Sequence, residues 1–321
     1  MTSAQIPSEP VGAPLLRDPV ALLRRLEWTV VRRLDGLLQG DYRTLFRGFG
    51  IDLADLREYQ FGDDVRRIDW NATARLQTPY VREFTEDREV TAWFLLDLSP
   101  SVDFGSGART KRAVSIEFTG ALARVLMRHG NRVGALFCGE DVEEVLPARA
   151  GRRHLLQLLG RMMARPQAMQ SAPTDLGRFA ARAAALVRRR SLVFVVSDFV
   201  STPGWEPALA RLALRNEVIA VRLVDPLERS LPDLGLVPMR DAETGETVFV
   251  DTHDRAFRRR FETLAAEREA ALVSAFAAAG VDALELDTAD DVADAIVRFA
   301  ALRRRFAGRG GGAAQSMRGP T

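Results

Sequence analysis

The sequence predicts an α/β protein built on a mostly parallel sheet with helices on both faces. Three observations carry that expectation. Trp93-Phe94-Leu95-Leu96 and Leu192 to Val196 are short, uninterrupted apolar runs that stop abruptly at Asp97 and at Ser197-Asp198, the pattern of strands covered on both sides. From Val90 onward such runs alternate with helix-length amphipathic segments, which requires crossover connections of one hand. A chain of 321 residues, 47% hydrophobic and 27% charged, is also long enough to bury a large core.

Each element has a local reason. Residues 1–15 are rich in Ser, Pro and Gly and lack periodicity, which predicts a disordered arm. Asp18 is placed to cap a helix carrying Leu22, Leu23, Leu26 and Val30 on one face. The stretch from Arg57 to Trp70 mixes charges and aromatics around a Gly62-Asp63 turn, and Tyr80 to Phe84 alternates as a strand does. Thr91 to Leu96 is the first long strand, followed by a helix over Lys111 to His129. Arg132 to Phe137 is the next strand, and Val142 to Leu146 an antiparallel edge strand. Helices are expected at Arg152 to Ala164 and Asp175 to Arg189, then the strand at Leu192 to Val196, a helix at Pro207 to Arg215 and a strand at Val218 to Val224. Leu234 to Val250 reads as a hairpin. A long helix from Asp254 stops at Gly280, a C-cap residue by type. A strand at Val281 to Leu286, a helix at Asp290 to Phe306 and a flexible Gly-rich tail at 307–321 complete the chain. The domains read as the arm at 1–15, an N-terminal helix and charged-aromatic extension at 16–89, the α/β domain at 90–306, and the tail.

Composition removes several classes of function. The formal net charge is +2, so no global field selects nucleic acid or an acidic membrane. Of 45 lysines and arginines one is lysine, Lys111. The arginine triplets at Arg188, Arg258 and Arg303 read as solvated helix ends. The one cysteine, Cys138, forms no intrachain disulfide, which suits a reducing compartment. No apolar stretch is long enough to span a bilayer and no secretory leader is visible; the expectation is a cytoplasmic protein without a membrane span. His129, His154 and His253 lack metal-ligand spacing and are expected at surfaces or helix ends.

The chemistry-bearing stretch is Asp97-Leu98-Ser99-Pro100-Ser101. In parallel α/β sheets ligands bind beyond the carboxyl ends of strands, which would put one carboxylate and two hydroxyls there. These are hard oxygen donors of the kind that Mg²⁺ or Mn²⁺ prefers. If the strand ending in Asp198 is a neighbour, two carboxylates meet, and a divalent cation between them would relieve their repulsion. The same residues taken alone also fit a turn with an Asx or helix cap.

Asp97-Leu98-Ser99-Pro100-Ser101 resembles the DxSxS pattern of von Willebrand factor A domains. That resemblance implies a Rossmann-like sheet and an adhesion-type metal site made of Asp97, Ser99, Ser101, Thr174 and Asp198, with Mg²⁺ as the expected ion and Mn²⁺ as the alternative. A carboxylate from another protein would complete the coordination. The stretch Tyr59-Gln60-Phe61-Gly62-Asp63-Asp64-Val65-Arg66-Arg67-Ile68-Asp69-Trp70, with Tyr80-Val81-Arg82-Glu83-Phe84, resembles the signature of a bacterial family of unknown function that accompanies MoxR-type AAA+ ATPases. In that family the signature precedes a von Willebrand A-like domain. Phe61 stands where proline is usual, and Ala172-Pro173 replaces the usual Gly-Gly before the threonine. The family implies a MoxR-type ATPase as partner, and a client protein as the source of the carboxylate.

An enzyme is the competing class. A strand-end Asp also begins metal-dependent phosphoryl-transfer sites, with Asp97 as nucleophile. Such sites need a second Asp two residues on as general acid, and that position is Ser99. No lysine is evident in the place they require, and no Gly-x-Ser-x-Gly elbow or His-Glu-x-x-His pair is present. The expectation is a non-enzymatic, metal-dependent binding protein. Thr174 could alternatively cap the helix that follows it.

Overall fold

The computed structural model describes residues 18–37, 55–60, 63, 65, 68–83, 90–138, 144–164, 174–240 and 247–307. The expected arm at 1–15, the loop leading to Thr174, the hairpin turn at 241–246 and residues 308–321 of the expected tail lie outside them.

The α/β expectation is met. Strands β3 (Thr91–Asp97), β4 (Arg132–Cys138), β5 (Glu144–Arg149), β6 (Leu192–Ser197), β7 (Glu217–Val224) and β10 (Asp282–Asp287) form one sheet in the order β10-β7-β6-β3-β4-β5. All neighbouring pairs are parallel except β4 with β5. The chain therefore winds outward in both directions from β3 and β6, and the carboxyl ends of these two adjacent strands lie at the centre of one sheet edge.

Alternation along the central strands sorts side chains onto two faces. Ala92, Phe94 and Leu96 of β3 join Leu192, Phe194 and Val196 of β6 in one core, with α4 (Lys111–Arg128), α5 (Arg152–Ala164) and α9 (Val292–Ala307). Leu95, Val193 and Val195 point the other way, into a core shared with α6 (Leu176–Leu186), α7 (Glu206–Ala213) and the last turns of α8 (Arg255–Ala279). Gly280 closes α8 at φ 66°, a conformation glycine adopts without a Cβ penalty.

The N-terminal helices belong to the first core. Asp18 caps α1 (Pro19–Leu26) by accepting the Val20 amide at 2.8 Å. A π-helical turn at Glu27–Val31 and α2 (Arg32–Leu37) continue it. Leu22, Leu23, Leu26, Val31 and Leu34 are buried against the helices covering the sheet. Arg33 pairs with Asp291 and Asp294 beside α9, and Glu27 with Arg124 of α4.

The charged-aromatic segment forms a small unit: β1 (Asp55–Glu58) pairs antiparallel with β2 (Tyr80–Glu83), α3 (Trp70–Leu76) lies between them, and Ile68 bridges to Val81. Asp69 accepts the Ala72 amide at 3.1 Å, and Thr73 Oγ1 accepts the Tyr80 amide at 3.0 Å. Trp70 is 70% exposed. The expected hairpin is β8 (Leu236–Arg240) with β9 (Thr247–Asp251).

One expectation about charged residues is corrected. Arg303 is not solvated: it is buried, pairing with Glu217 at 2.7 Å and with Asp282 at 2.8 Å, so it ties α9 to β7 and β10. His154 stands at a helix end as expected, in the first turn of α5, and is buried there with a ring nitrogen 2.8 Å from the Val133 carbonyl oxygen of β4.

Strand β5 closes one edge of the sheet. Its pairing with β4 shifts register between Val133 and Ala135, and the exposed Pro147 sits within that irregularity. Next to it, Gly134 of β4 lies opposite Trp93 of β3, and a Cβ at Gly134 would fall 2.8 Å from the indole ring. Gly134→Ala is therefore expected to displace the ring and cost about 1–3 kcal/mol, read as a lower urea midpoint with an unchanged slope.

Candidate metal centre and family

Asp97 is the last residue of β3 and is fully buried. Its Oδ1 accepts the Ser99 amide at 3.0 Å, and its Oδ2 accepts the Ser197 hydroxyl at 2.6 Å. Ser197, the last residue of β6, in turn accepts the Phe199 amide at 2.9 Å. The two central strands are thus stitched together through the very carboxylate that ends one of them. Ser99 leads into a short 3₁₀ turn at Pro100–Asp103, and its hydroxyl lies 3.1 Å from that of Ser101.

Asp198 follows β6 and is buried. Its Oδ1 accepts the Val200 amide at 3.0 Å. Phe199, between them, holds φ 59°, a left-handed conformation that is strained for an aromatic residue. The strain is held in place by packing: Phe199 is buried with ring centroids 4.8 Å from Phe276 and 5.4 Å from Trp205.

Thr174 is buried on the neighbouring loop. Its carbonyl accepts the Thr202 amide at 2.9 Å and the Ser201 hydroxyl at 2.8 Å, so it is fastened to the loop that leaves Asp198. Thr174 is not a helix cap: Asp175 caps α6, accepting the Arg178 amide at 2.8 Å.

The sequence reading left out a charged group that the fold brings here. Lys111 Nζ donates to Asp198 Oδ2 at 2.7 Å and to Glu228 Oε1 at 2.6 Å, and the lysine is buried. The single lysine of the chain thus stands beside Asp198. Its pairing is with Asp198 and Glu228, which lie 87 and 117 residues away, and no local motif announces such contacts. The one available signal was compositional: a lone lysine in a chain that otherwise uses arginine. Glu228 is itself held, its Oε2 accepting the Asp225 amide at 3.0 Å. Asp225 is fully buried and accepts the Ser106 amide at 2.9 Å and the Thr288 hydroxyl at 2.6 Å.

Electrostatics distinguish the two ends of the cluster. Burial, and then the charge of Asp198, raise the Asp97 carboxyl to about 6, although hydrogen bonds from Ser197 and Ser99 pull the other way. Burial opposes the Lys111 ammonium, but Asp198 and Glu228 outweigh it and hold its pKa above the usual lysine value. Among the described residues no cluster of three or more His, Cys, Asp or Glu is arranged to hold a metal. A cation here would be held by two carboxylates helped by hydroxyls. That donor set is of the kind that hard cations such as Mg²⁺ or Mn²⁺ prefer, and a cation would offset both the burial that is the main cause of the raised Asp97 pKa and the smaller repulsion from Asp198.

The sequence profile of DUF58, a protein family of unknown function, matches residues 55–271. The chain belongs to the DUF58 family. Uncharacterized proteins of Mycobacterium tuberculosis and Mycobacterium bovis are 37% identical over 313 residues, covering 96% of this chain and 98% of theirs. Among solved structures, the chain is similar to an aerotolerance-related membrane protein of Bacteroides fragilis (TM-score 0.46, 13% identity, 67% of this chain and 99% of that one). It is similar also to the hypothetical protein BatB of Bacteroides thetaiotaomicron (0.44, 14%, 67% and 99%), and to the SpRpn10 VWA domain (0.36, 13%, 65% and 94%). The Rossmann-like, mostly parallel α/β architecture of this DUF58 protein is read from its own strand order and helix layers. Among the described residues no helix is long and apolar enough to cross a membrane.

Proposed function

We propose that this DUF58 protein is a non-catalytic, metal-dependent protein-binding module that works in the cytoplasm with a MoxR-type AAA+ ATPase. The observation that carries the reading is the pair of strand-end carboxylates, Asp97 and Asp198, at the ends of two adjacent central strands, with the Asp97 pKa raised to about 6 first by burial and then by the charge of Asp198. Asp97, Ser99, Ser101, Thr174 and Asp198 would hold Mg²⁺ or Mn²⁺, and the bound ion would supply a positive charge open to a carboxylate of the partner. The rim suits a protein ligand: Phe104, 41% exposed, lies 6.0 Å from Lys111 Nζ, and Val200, 50% exposed, is bonded through its amide to Asp198. Apolar groups that ring a buried charged centre exclude water from the contact.

Phosphoryl hydrolysis by Asp97 is the second reading, and the lysine beside the site bears on it. Lys111 contacts Asp198 and Glu228, whereas both Asp97 oxygens are engaged by Ser99 and Ser197. Position 99 remains a serine, which supplies no general acid.

Mn²⁺ binding by electron paramagnetic resonance, with pull-down of a purified MoxR-type ATPase in Mg²⁺ or EDTA, tests the reading. Wild type should bind Mn²⁺ and retain the ATPase in Mg²⁺ alone, and Asp97→Ala should lose both. Equal retention in EDTA would sink the adhesion mechanism. Metal-dependent release of phosphate from p-nitrophenyl phosphate, abolished in Asp97→Ala, would instead establish the hydrolase.

A further inference from the structure

Lys111 is placed where helix formation gives no reason for a lysine. It is the first residue of α4, after the Thr110 N-cap, and a cation in a first turn opposes the helix dipole. It is fully buried, and it is the only lysine among 45 basic side chains. What holds it is the pair of carboxylates on Asp198 and Glu228, each within 2.7 Å.

Asp97, Asp198 and Glu228 bring three carboxylates to the cluster, with the buried Asp225 behind Glu228, and Lys111 brings one positive charge. A divalent cation would offset part of the remaining negative charge. The oxygen of Asp198 that the ammonium takes, Oδ2, is the one its backbone contact leaves open, because Oδ1 accepts the Val200 amide. A cation approaching Asp198 therefore meets Lys111 already in place. Glu228 offers the ammonium a second partner that is anchored independently through the Asp225 amide, so release from Asp198 strands no buried charge.

We propose that Lys111 is a tethered cation that competes with the divalent ion for Asp198, pairing with Asp198 when the metal is absent and retreating to Glu228 when it binds. This inference rests on the metal-binding reading above. It assigns Lys111 and Glu228 a role in setting how tightly the ion is held, and it makes metal occupancy a rearrangement of an ion pair rather than the filling of a fixed cage. The competition is reciprocal by linkage, since whatever weakens the ammonium's hold strengthens the ion's.

Because Lys111 is the only lysine, full-length protein labelled with ¹³C at lysine Cε gives a single lysine signal in the NMR spectrum. On wild type, Mg²⁺ is expected to shift that signal saturably. In a parallel titration Lys111→Met should bind Mn²⁺ about tenfold more tightly than wild type. It should also melt at a lower temperature than wild type in EDTA and recover when the ion is added. Metal binding with an unmoved lysine signal would overturn the inference and leave the metal reading standing. Equal or weaker Mn²⁺ affinity in a folded Lys111→Met would do the same. If neither protein binds Mn²⁺, both readings fall. The wild-type signal decides the matter if Lys111→Met does not fold.

Discussion

Asp97→Asn is expected to remove a pH dependence of stability that wild type shows in EDTA. The Asp97 carboxyl titrates at about 6 in the folded protein against about 3.9 for a free aspartate, so the folded state holds its proton more tightly than the unfolded chain does. Wild-type stability is then fully present below about pH 4, falls as pH rises to about 6, and stays low beyond. A gap of this size corresponds to about 3 kcal/mol at most. Asparagine keeps an acceptor for the Ser99 amide but turns an amide donor toward Ser197, a rearrangement that costs about 1 kcal/mol. The net gain of the variant at neutral pH is therefore on the order of 2 kcal/mol. Urea unfolding in EDTA at pH 4, 5, 6 and 7.5 measures it. Wild-type and Asn curves that run parallel across this range would show that Asp97 carries no such burden. Adding Mg²⁺ at pH 7.5 should restore wild type and leave the variant unchanged.

The second large effect lies under the site. Phe194 of β6 stacks on Phe94 of β3 at 5.0 Å and meets the edge of Phe118 of α4 at 6.0 Å. It is 2% exposed. Phe194→Ala removes the ring that joins both central strands to the helix covering them, and it is expected to cost about 3–5 kcal/mol. A urea midpoint that falls with an unchanged slope would report it. Trp70→Ala provides the contrast, because Trp70 is 70% exposed and its loss should stay within about 0.5 kcal/mol. A loss at Trp70 as large as that at Phe194 would contradict the burial argument.

The fold was legible because its elements announce themselves locally. Thr91 to Leu96 and Leu192 to Val196 read as buried strands from their unbroken apolar runs, and Asp18 and Gly280 mark helix ends by residue type. Asp97 and Asp198 were legible for the same reason, standing where an apolar run stops. What local pattern does not encode is which strands become neighbours. The approach of Ser197 to Asp97, and of Lys111 and Glu228 to Asp198, follows from the order β7-β6-β3-β4 and from no spacing in the chain. Arg303 was misread because a run of arginines at a helix end looks the same whether it faces water or two acidic strand residues. Thr174 and Asp175 are both good capping types, so the alternative of Thr174 as cap of α6 is decided by backbone geometry, which brings the Asp175 carboxylate to the Arg178 amide.

Pro147 has a consequence for how the molecule meets its neighbours. A free sheet edge is a template on which another chain can add a strand. Here the outermost strand carries a residue with no amide hydrogen, inside an irregular stretch of the ladder, and both features disfavour growth of the sheet. Copies of the protein are thereby kept from zipping together along β5 at high concentration.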